Sequence, residues 1–499
     1  MAGTAQPVRN PVVPGLTVIV GFLVCVELAS GVLQGYYTPI FPQIADHLSI
    51  RDASVNWFEA AQLVVSALVV PVLAKLGDLV GHRKVLLLST AVTAVASWAV
   101  AFAPTFNTFL IAWAIQGFYV VWLPLEVSII HRRTADTGVQ ARLTRRSAAF
   151  LVAALEFGVI VGALTSGAIV ESTSMTVVLA LPAVAVTLCF IAVWYGVADT
   201  EPVATGRIDW TGFALVTLAI AILMGGLVLL RLDGPGSLVA WATIVLGLSA
   251  FVPFVRAELA QPQPLIDIRL LATPGQWPVQ LTAFLFGMSV LGAQIPLSTY
   301  AQTDPEAGGY GLGAGASFVS VLIGLYVISL IAGAMLLPFA SRVLGPRTAL
   351  VVATLLVALG YALWIPLHDS TGQALVNMAI AGVGSGALVA ALPAAAAASA
   401  PPDRTGFATG MTNTAKTIGG AIASSIFAIA LSATGSIDVE GNVNAPLSGY
   451  LVVWAVCAGS ALLAAVSLLV VPKGAFSDTR GEGRAGGMGA PGPGNSQGI

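Results

Sequence analysis

The 499-residue chain predicts an all-α polytopic membrane protein of about fourteen transmembrane helices. Hydrophobic residues make up 57% of it and charged residues 9%, where soluble domains carry about 25% charged. Mean hydropathy is +0.91. Apolar runs of about 20 residues, enough to cross a bilayer, recur along nearly the whole chain between short polar breaks. These features exclude a soluble enzyme. A formal net charge of −2 leaves no basic footprint for nucleic acid. Cys25, Cys189 and Cys457 all stand in apolar runs, against a disulfide framework or a clustered metal site. No cofactor or metal is expected, and the partner that composition implies is the lipid bilayer.

The spans read as 15–41, 54–74, 85–103, 106–130, 147–170, 174–197, 209–230, 236–255, 275–300, 314–340, 348–367, 372–399, 405–432 and 447–471. The first exceeds the apolar core of a signal peptide and lacks a small-residue cleavage site, so it is expected to be retained. Residues 474–499 are Gly- and Pro-rich with almost nothing apolar, which predicts a disordered tail. With both termini in the cytoplasm, every Lys and Arg except Arg51, Arg231 and the intramembrane Lys416 falls on the inside, out of 21. That asymmetry predicts a multi-pass protein of the plasma (inner) membrane with cytoplasmic termini.

The loop Ala74–Leu87 echoes Phe339–Val352, with Gly81 and Arg83 matching Gly345 and Arg347. Repeated halves with a midplane site between them are a common build of secondary transporters. Two six-helix bundles with two inserted helices make fourteen. The expected division is a cytoplasmic tail at 1–14, an N-terminal bundle at 15–200, an inserted pair at 201–262, a C-terminal bundle at 263–473 and the tail at 474–499.

The stretch Ala74-Lys75-Leu76-Gly77-Asp78-Leu79-Val80-Gly81-His82-Arg83-Lys84 keeps Leu76, Asp78, Gly81, Arg83 and Lys84 of the pattern G-x-L-a-D-r-x-G-r-k. On that motif the chain resembles the major facilitator superfamily, in its fourteen-helix drug–proton antiporter branch. Ile208-Asp209-Trp210-Thr211-Gly212, Pro264-Leu265-Ile266-Asp267 and Pro401-Pro402-Asp403-Arg404-Thr405-Gly406 resemble the same branch. The resemblance covers roughly residues 15–471 and implies the major facilitator fold. The Asp78–Lys84 loop is then a conformational latch, with Gly81 permitting a tight turn and Asp78 and Arg83 meeting charges or helix ends that part as the halves rock. Two departures bear on mechanism. The branch carries Arg in an R-x-x-Q-G pattern of the fourth span, where this chain has Trp113-Ala114-Ile115-Gln116-Gly117. Its fifth-span G-x-x-x-G-P motif reads Gly158 to Gly167 here, with Ala163 replacing Pro. Gly158, Gly162 and Ser166 keep a helix-packing seam.

An ionisable side chain at mid-bilayer costs about 2.5–3.5 kcal/mol on insertion scales, so each needs a reason. Glu27, Ser30, Gln34 and Tyr37 share one stripe of the first span, suited to a titrating carboxylate beside a water-filled cavity; the alternative is a structural, hydrogen-bonded Glu. Glu156 sits about 200° round its helix from Gly158, pointing into the cavity or at an ion-pair partner. Glu27 and Glu156 are the proton-coupling candidates. Glu126 is expected to latch onto loop bases such as Arg83, and Glu59 lies near the outer surface where it can snorkel. Lys416 is a charge partner or a ligand contact. The remaining cavity candidates are Trp113, Gln116, Tyr119, Trp122, Gln294, Tyr326 and Asn377, with Gln34 and Tyr37, because aromatic faces and amides suit amphipathic substrates. Tyr36, Tyr37, Trp57 and Tyr300 suit an interfacial belt.

The chain carries no Walker A loop, no H-E-x-x-H and no Cys/His cluster, and its four His (His47, His82, His131, His368) are ungrouped, so no enzyme is expected. The expected function is secondary active export of a small hydrophobic or amphipathic compound, coupled to protons, by a functional monomer. The alternatives are a proton-independent metabolite uniporter or exchanger, motivated by Trp113 and Ala163, and a membrane sensor that has lost transport.

Overall fold

The computed structural model describes residues 20–134, 140–202, 207–401, 404–432 and 445–470. Both expected tails lie outside the described residues. Thirteen helices among the described residues are long and apolar enough to cross a membrane. With the shorter first helix they form the series α1 (Leu23–Gly35), α2 (Asp52–Val80), α3 (His82–Ala101), α4 (Phe106–Arg133), α5 (Gln140–Ile169), α6 (Met175–Gly196) and α7 (Trp210–Asp233), followed by α8 (Leu238–Ala260), α9 (Trp277–Gln302), α10 (Ala316–Leu344), α11 (Pro346–Leu363), α12 (Thr371–Ser399), α13 (Thr405–Leu431) and α14 (Leu447–Val470). Large apolar side chains such as Val245, Leu246, Leu248, Met335 and Phe339 face outward, as a lipid-bathed surface requires.

The first helix of each half is broken toward its C-terminal end. α1 stops at Gly35 and resumes as a 3₁₀ turn, Thr38–Ile40, and a short helix, Phe41–His47. Pro39 and Pro42 withhold the N–H groups a continuous helix would need there. α9 pauses between Val290 and Gln294, where Pro296 leaves the Gly292 carbonyl without its helical donor.

The two halves repeat one packing plan. α1 lies on α5 as α9 lies on α13; α2 on α4 as α10 on α12; α3 on α6 as α11 on α14. One apolar core, with Phe58, Phe109 and Trp122, fills the first half, and another, with Tyr361, Trp364 and Trp454, fills the second. The seams are glycine against backbone. A Cβ on Gly31 would stand 2.0 Å from the Leu155 carbonyl, and one on Gly35 2.2 Å from that of Val159. In the second half a Cβ on Gly287 would stand 1.9 Å from the Lys416 carbonyl oxygen, and one on Gly419 2.0 Å from that of Phe284. Gly158 and Gly162 complete the α1–α5 seam; the GxxxG pair Gly31–Gly35 on the facing helix, absent from the expected site, supplies its other side.

The loop echo is a structural repeat as well. Gly81 has φ +105° and Gly345 φ +83°, a region open chiefly to glycine. Two residues on, Arg83 donates to the Trp194 carbonyl near the end of α6 (2.8 Å), and Arg347 to the Leu468 carbonyl near the end of α14 (3.1 Å). Each guanidinium thus meets orphan carbonyls at the negative end of its own half's last helix.

α7 and α8 pack backbone to backbone through Gly226 and Gly247 and cover the junction of α2 and α13, with Leu223 and Leu227 grouped with Trp57, Ala60 and Ala428. Three motif stretches meet at one end of this pair. Asp209 caps Gly212 N–H (2.9 Å), and a Cβ on Gly212 would stand 2.1 Å from Oε1 of the buried Glu258. The other Glu258 oxygen accepts the Ile266 N–H (3.0 Å). Asp267 caps the turn before α9 through Leu270 (3.1 Å) and pairs with Arg404 at the start of α13. The inserted helices are thereby tied to the second half.

Gly35→Ala is expected to cost about 1–3 kcal/mol through overpacking, lowering the thermal midpoint in detergent. Gly225→Ala, with nothing within 4 Å of its Cβ, is expected to leave the midpoint unchanged or raise it. Equal midpoints for the two variants would contradict the seam.

Candidate functional site

The polar stripe of α1 divides among three environments. Glu27 and Glu126 of α4 are both fully buried and neighbour one another, and among the described residues neither carboxyl has a hydrogen-bond partner. Ser30 accepts from Gln34, which is exposed (3.2 Å). Tyr37 accepts from the Gln116 amide (3.2 Å), which also donates to Ser97 (3.0 Å).

That Gln116 and Glu126 both face α1 follows from local sequence. Pro124 offers no N–H to the Val120 carbonyl, and α4 tightens into a 3₁₀ stretch, Gly117–Val121. Five residues at about 120° rather than about 100° advance the helix phase by roughly 100°. Ten residues of uninterrupted α-helix would leave Glu126 about 80° away from Gln116; the stretch brings the two nearly into line. α2 braces this part of α4: Ser66 donates to the Gly117 carbonyl (2.9 Å) and Gln62 to that of Trp113 (3.4 Å).

Several expectations are corrected by this geometry. Glu126 does not latch onto Arg83, which instead holds Trp194 and, through its backbone N–H, Thr200 (3.1 Å). Asp78 pairs with His82 one turn on (3.2 Å), and a Cβ on Gly81 would meet the Thr200 carbonyl at 2.3 Å. The latch residues therefore bind within one half, Lys84 being exposed, and nothing in these contacts parts when the halves rock. Trp113 and Gln116 are interior to the first half, Trp113 packed among Tyr37, Phe41, Phe58 and Phe109; Tyr37 and Trp122 are buried in the same core. Asn377 holds the Leu367 carbonyl (2.9 Å) at the turn before α12. Tyr36, Tyr37, Trp57 and Tyr300 are buried, with Tyr36 donating to Val178 (2.8 Å), so they form no interfacial belt. α5 runs unbroken past Ala163, so the proline kink is absent, and Ser166 bonds within its own helix.

The groups that face the junction of the halves are few. Glu156 of α5 lies within electrostatic reach of Lys416 of α13 and Tyr326 of α10, all three half-buried. Tyr119, also half-buried, lies within electrostatic reach of both Glu59 and Glu27 in the first half.

At one end the halves are sealed by hydrogen bonds between the broken pieces of α1 and α9. Thr38 donates to Gln294 (3.2 Å), Gln43 to Gln302 (2.8 Å), and Gln302 to the Pro39 carbonyl (2.9 Å). Alongside, Ser320 of α10 donates to the Ala163 carbonyl (2.7 Å) and Ser317 to that of Gly167 (3.2 Å). All of these lie at the end opposite Arg83, Arg132 and Arg404. Gln294, expected in the cavity, thus joins the two halves at this end.

A family model described as Major Facilitator Superfamily matches residues 23–424. The chain belongs to the major facilitator superfamily. It is a multi-pass secondary active transporter of small organic molecules, and not an enzyme. It is 24% identical over 291 residues to a uridine/deoxyuridine transporter of Lactococcus lactis subsp. cremoris, 57% of this chain and 59% of that one. It is 26% identical over 409 residues to the cephamycin export protein CmcT of Amycolatopsis lactamdurans, 80% of this chain and 81% of that one. The fold also matches the crystal structure of the nucleoside transporter NupG, with TM-score 0.60 at 15% identity over 92% of this chain and 99% of that one.

The Gln43→Ala/Gln302→Ala variant, spin-labelled at the exposed His47 and Glu306, is expected to shift the label distance toward longer values than the parent shows. An unchanged distribution would mean that these amides do not hold the seal.

Proposed function

We propose that this transporter exports small amphipathic organic compounds across the plasma membrane in exchange for protons. In this reading it is a monomer of the fourteen-helix drug–proton antiporter branch, with both termini in the cytoplasm. The observation that carries the reading is the buried Glu27–Glu126 pair. Two carboxylates side by side away from water cannot both remain charged, so the pair is suited to hold a proton and to release it when water or a substrate reaches it. Glu27 and Glu126 then serve in place of the basic residue absent at Trp113, and Glu126 joins Glu27 as a coupling group. The relative that exports cephamycin supports the direction, and the asymmetry of Lys and Arg supports the orientation, which places the sealed end outside. Opening that seal while the basic end closes would carry the pair from cytoplasmic to external access.

A second reading is proton-independent uptake or exchange of a metabolite. Trp113 and the relative that transports uridine and deoxyuridine favour it. Proteoliposomes with an imposed pH gradient and a pH-sensitive dye, offered lipophilic cations, dyes and antibiotics, separate the two. Export coupled to protons predicts substrate-dependent proton movement that is lost in Glu27→Gln and in Glu126→Gln, both still folded. Substrate flux without a proton signal would favour the second reading.

A further inference from the structure

Two seams join the halves along their flanks, and the repeat makes them equivalent: α5 lies along α10 as α13 lies along α2. α2 and α10 are each 29 residues long and end one residue before the matching glycines Gly81 and Gly345. Counting back from those glycines pairs Gly324 of α10 with Ala60 of α2. The two positions have opposite surroundings. Ala60 is buried in the apolar group that Leu223, Leu227 and Leu230 of α7 form over the α2–α13 seam. Gly324 is buried too, yet a Cβ there would meet nothing within 4 Å, and among the described residues it is the one buried glycine of which this is true.

The register of α5 on α10 explains the opening. Ser317 and Ser320 hold the Gly167 and Ala163 carbonyls, and a Cβ on Gly167 would stand 2.1 Å from the Ser320 hydroxyl, so the helices touch at that end. Toward the end that carries Arg146 and Arg342 the facing side chains come progressively into the open. Stepping three or four residues at a time keeps to one face of a helix. On α5 those steps pass from buried Ala163 to half-buried Ile160 and Glu156, then to exposed Ala153 and Ala149. On α10 they pass from buried Ser320 to Gly324, then to exposed Ile328, Ile331 and Met335. The gap is a wedge with its apex at Ser320. Its rims carry exposed apolar side chains, Leu164 and Phe157 on α5 and Val321 on α10, so lipid reaches the seam.

We infer that the α5–α10 wedge is a lateral port through which an amphipathic cation dissolved in the cytoplasmic leaflet enters the space between the halves. This rests on the export reading above and adds the route to it. Walls of Gly324, Ile328 and Ile331 take up an apolar body that is already out of water, so entry from lipid requires no dehydration of that body. Glu156 is the one ionisable group among these wall residues, and it offers a cationic head a counter-charge along the way. The equivalent seam is closed, because α7 and α8 lie over α2 and α13. Entry from lipid is thereby confined to one flank, and the inserted pair acquires a role as the cover of the other.

Transport by the full-length protein in proteoliposomes with an imposed pH gradient tests this with two monocationic dyes. Trimethylammonium-diphenylhexatriene resides in the leaflet and fluoresces only there, whereas ethidium reaches the protein from water. Gly324→Leu is expected to slow extraction of the leaflet dye roughly tenfold and to change ethidium transport by less than about twofold. Gly459→Leu, at another open helical position, is expected to change neither. Ile328→Trp narrows the same wedge from an exposed position and is expected to reproduce the selective loss, which keeps the test decisive if Gly324→Leu does not fold. Equal loss of both dyes, or undiminished extraction of the leaflet dye in the folded variants, would overturn the inference. Ethidium transport by the parent protein without extraction of the leaflet dye would overturn the port alone; transport of neither would overturn the export reading with it.

Discussion

In hydrocarbon no hydrophobic force drives one helix onto another, so this structure depends on backbone approaching backbone at glycine seams. Gly31 and Gly35 bring α1 onto the carbonyls of α5, and Gly287 and Gly419 bring α9 and α13 together in the same way. These contacts make each half a stiff unit, because a close-packed seam can accommodate neither a methyl group nor a sliding register. Everything that moves or binds is then left to the junction between the units. There the contacts are of another kind, amide and hydroxyl hydrogen bonds such as Gln43 to Gln302 and Ser320 to the Ala163 carbonyl. Side-chain hydrogen bonds can be exchanged with water as the halves rock, whereas the seams cannot.

The same division accounts for where the costly groups lie. Glu27 and Glu126 are enclosed within the first half, each the other's neighbour, while Glu156 and Lys416 are held by opposite halves. An enclosed carboxyl pair is suited to a proton, the smallest possible cargo. The seal made by the broken C-terminal parts of α1 and α9 stands between these groups and one face of the membrane. The proline-induced breaks that create those parts are therefore as much a feature of the transport pathway as the charges are.

Much of this was legible in the residues. Composition and span counting gave the class; the Gly81–Arg83 and Gly345–Arg347 echo correctly anticipated a repeat, realised as two left-handed glycines and two arginines on helix ends. The misplaced residues share a physical cause. Glu126 was assigned by sequence proximity to basic loops, but a 3₁₀ stretch ahead of Pro124 rotates it toward α1. That signal was present in Gly117 and Pro124, yet its consequence depends on a change of phase that a uniform 100° helix conceals. Asn377 and Gln116 were read as cavity groups because they are polar in apolar helices. Each instead satisfies a neighbour inside its own half, Asn377 a turn carbonyl and Gln116 a hydroxyl pair, and no one-dimensional pattern distinguishes those uses.

The central claim is that Glu27 and Glu126 together hold a transported proton. Difference infrared spectroscopy of the protonated carboxyl stretch in reconstituted protein, with and without a transported compound, tests it most directly. The account predicts a protonated-carboxyl band at neutral pH that substrate diminishes and that disappears in Glu27→Gln and in Glu126→Gln. A band that persists in both variants, or its absence from the parent protein, would contradict it.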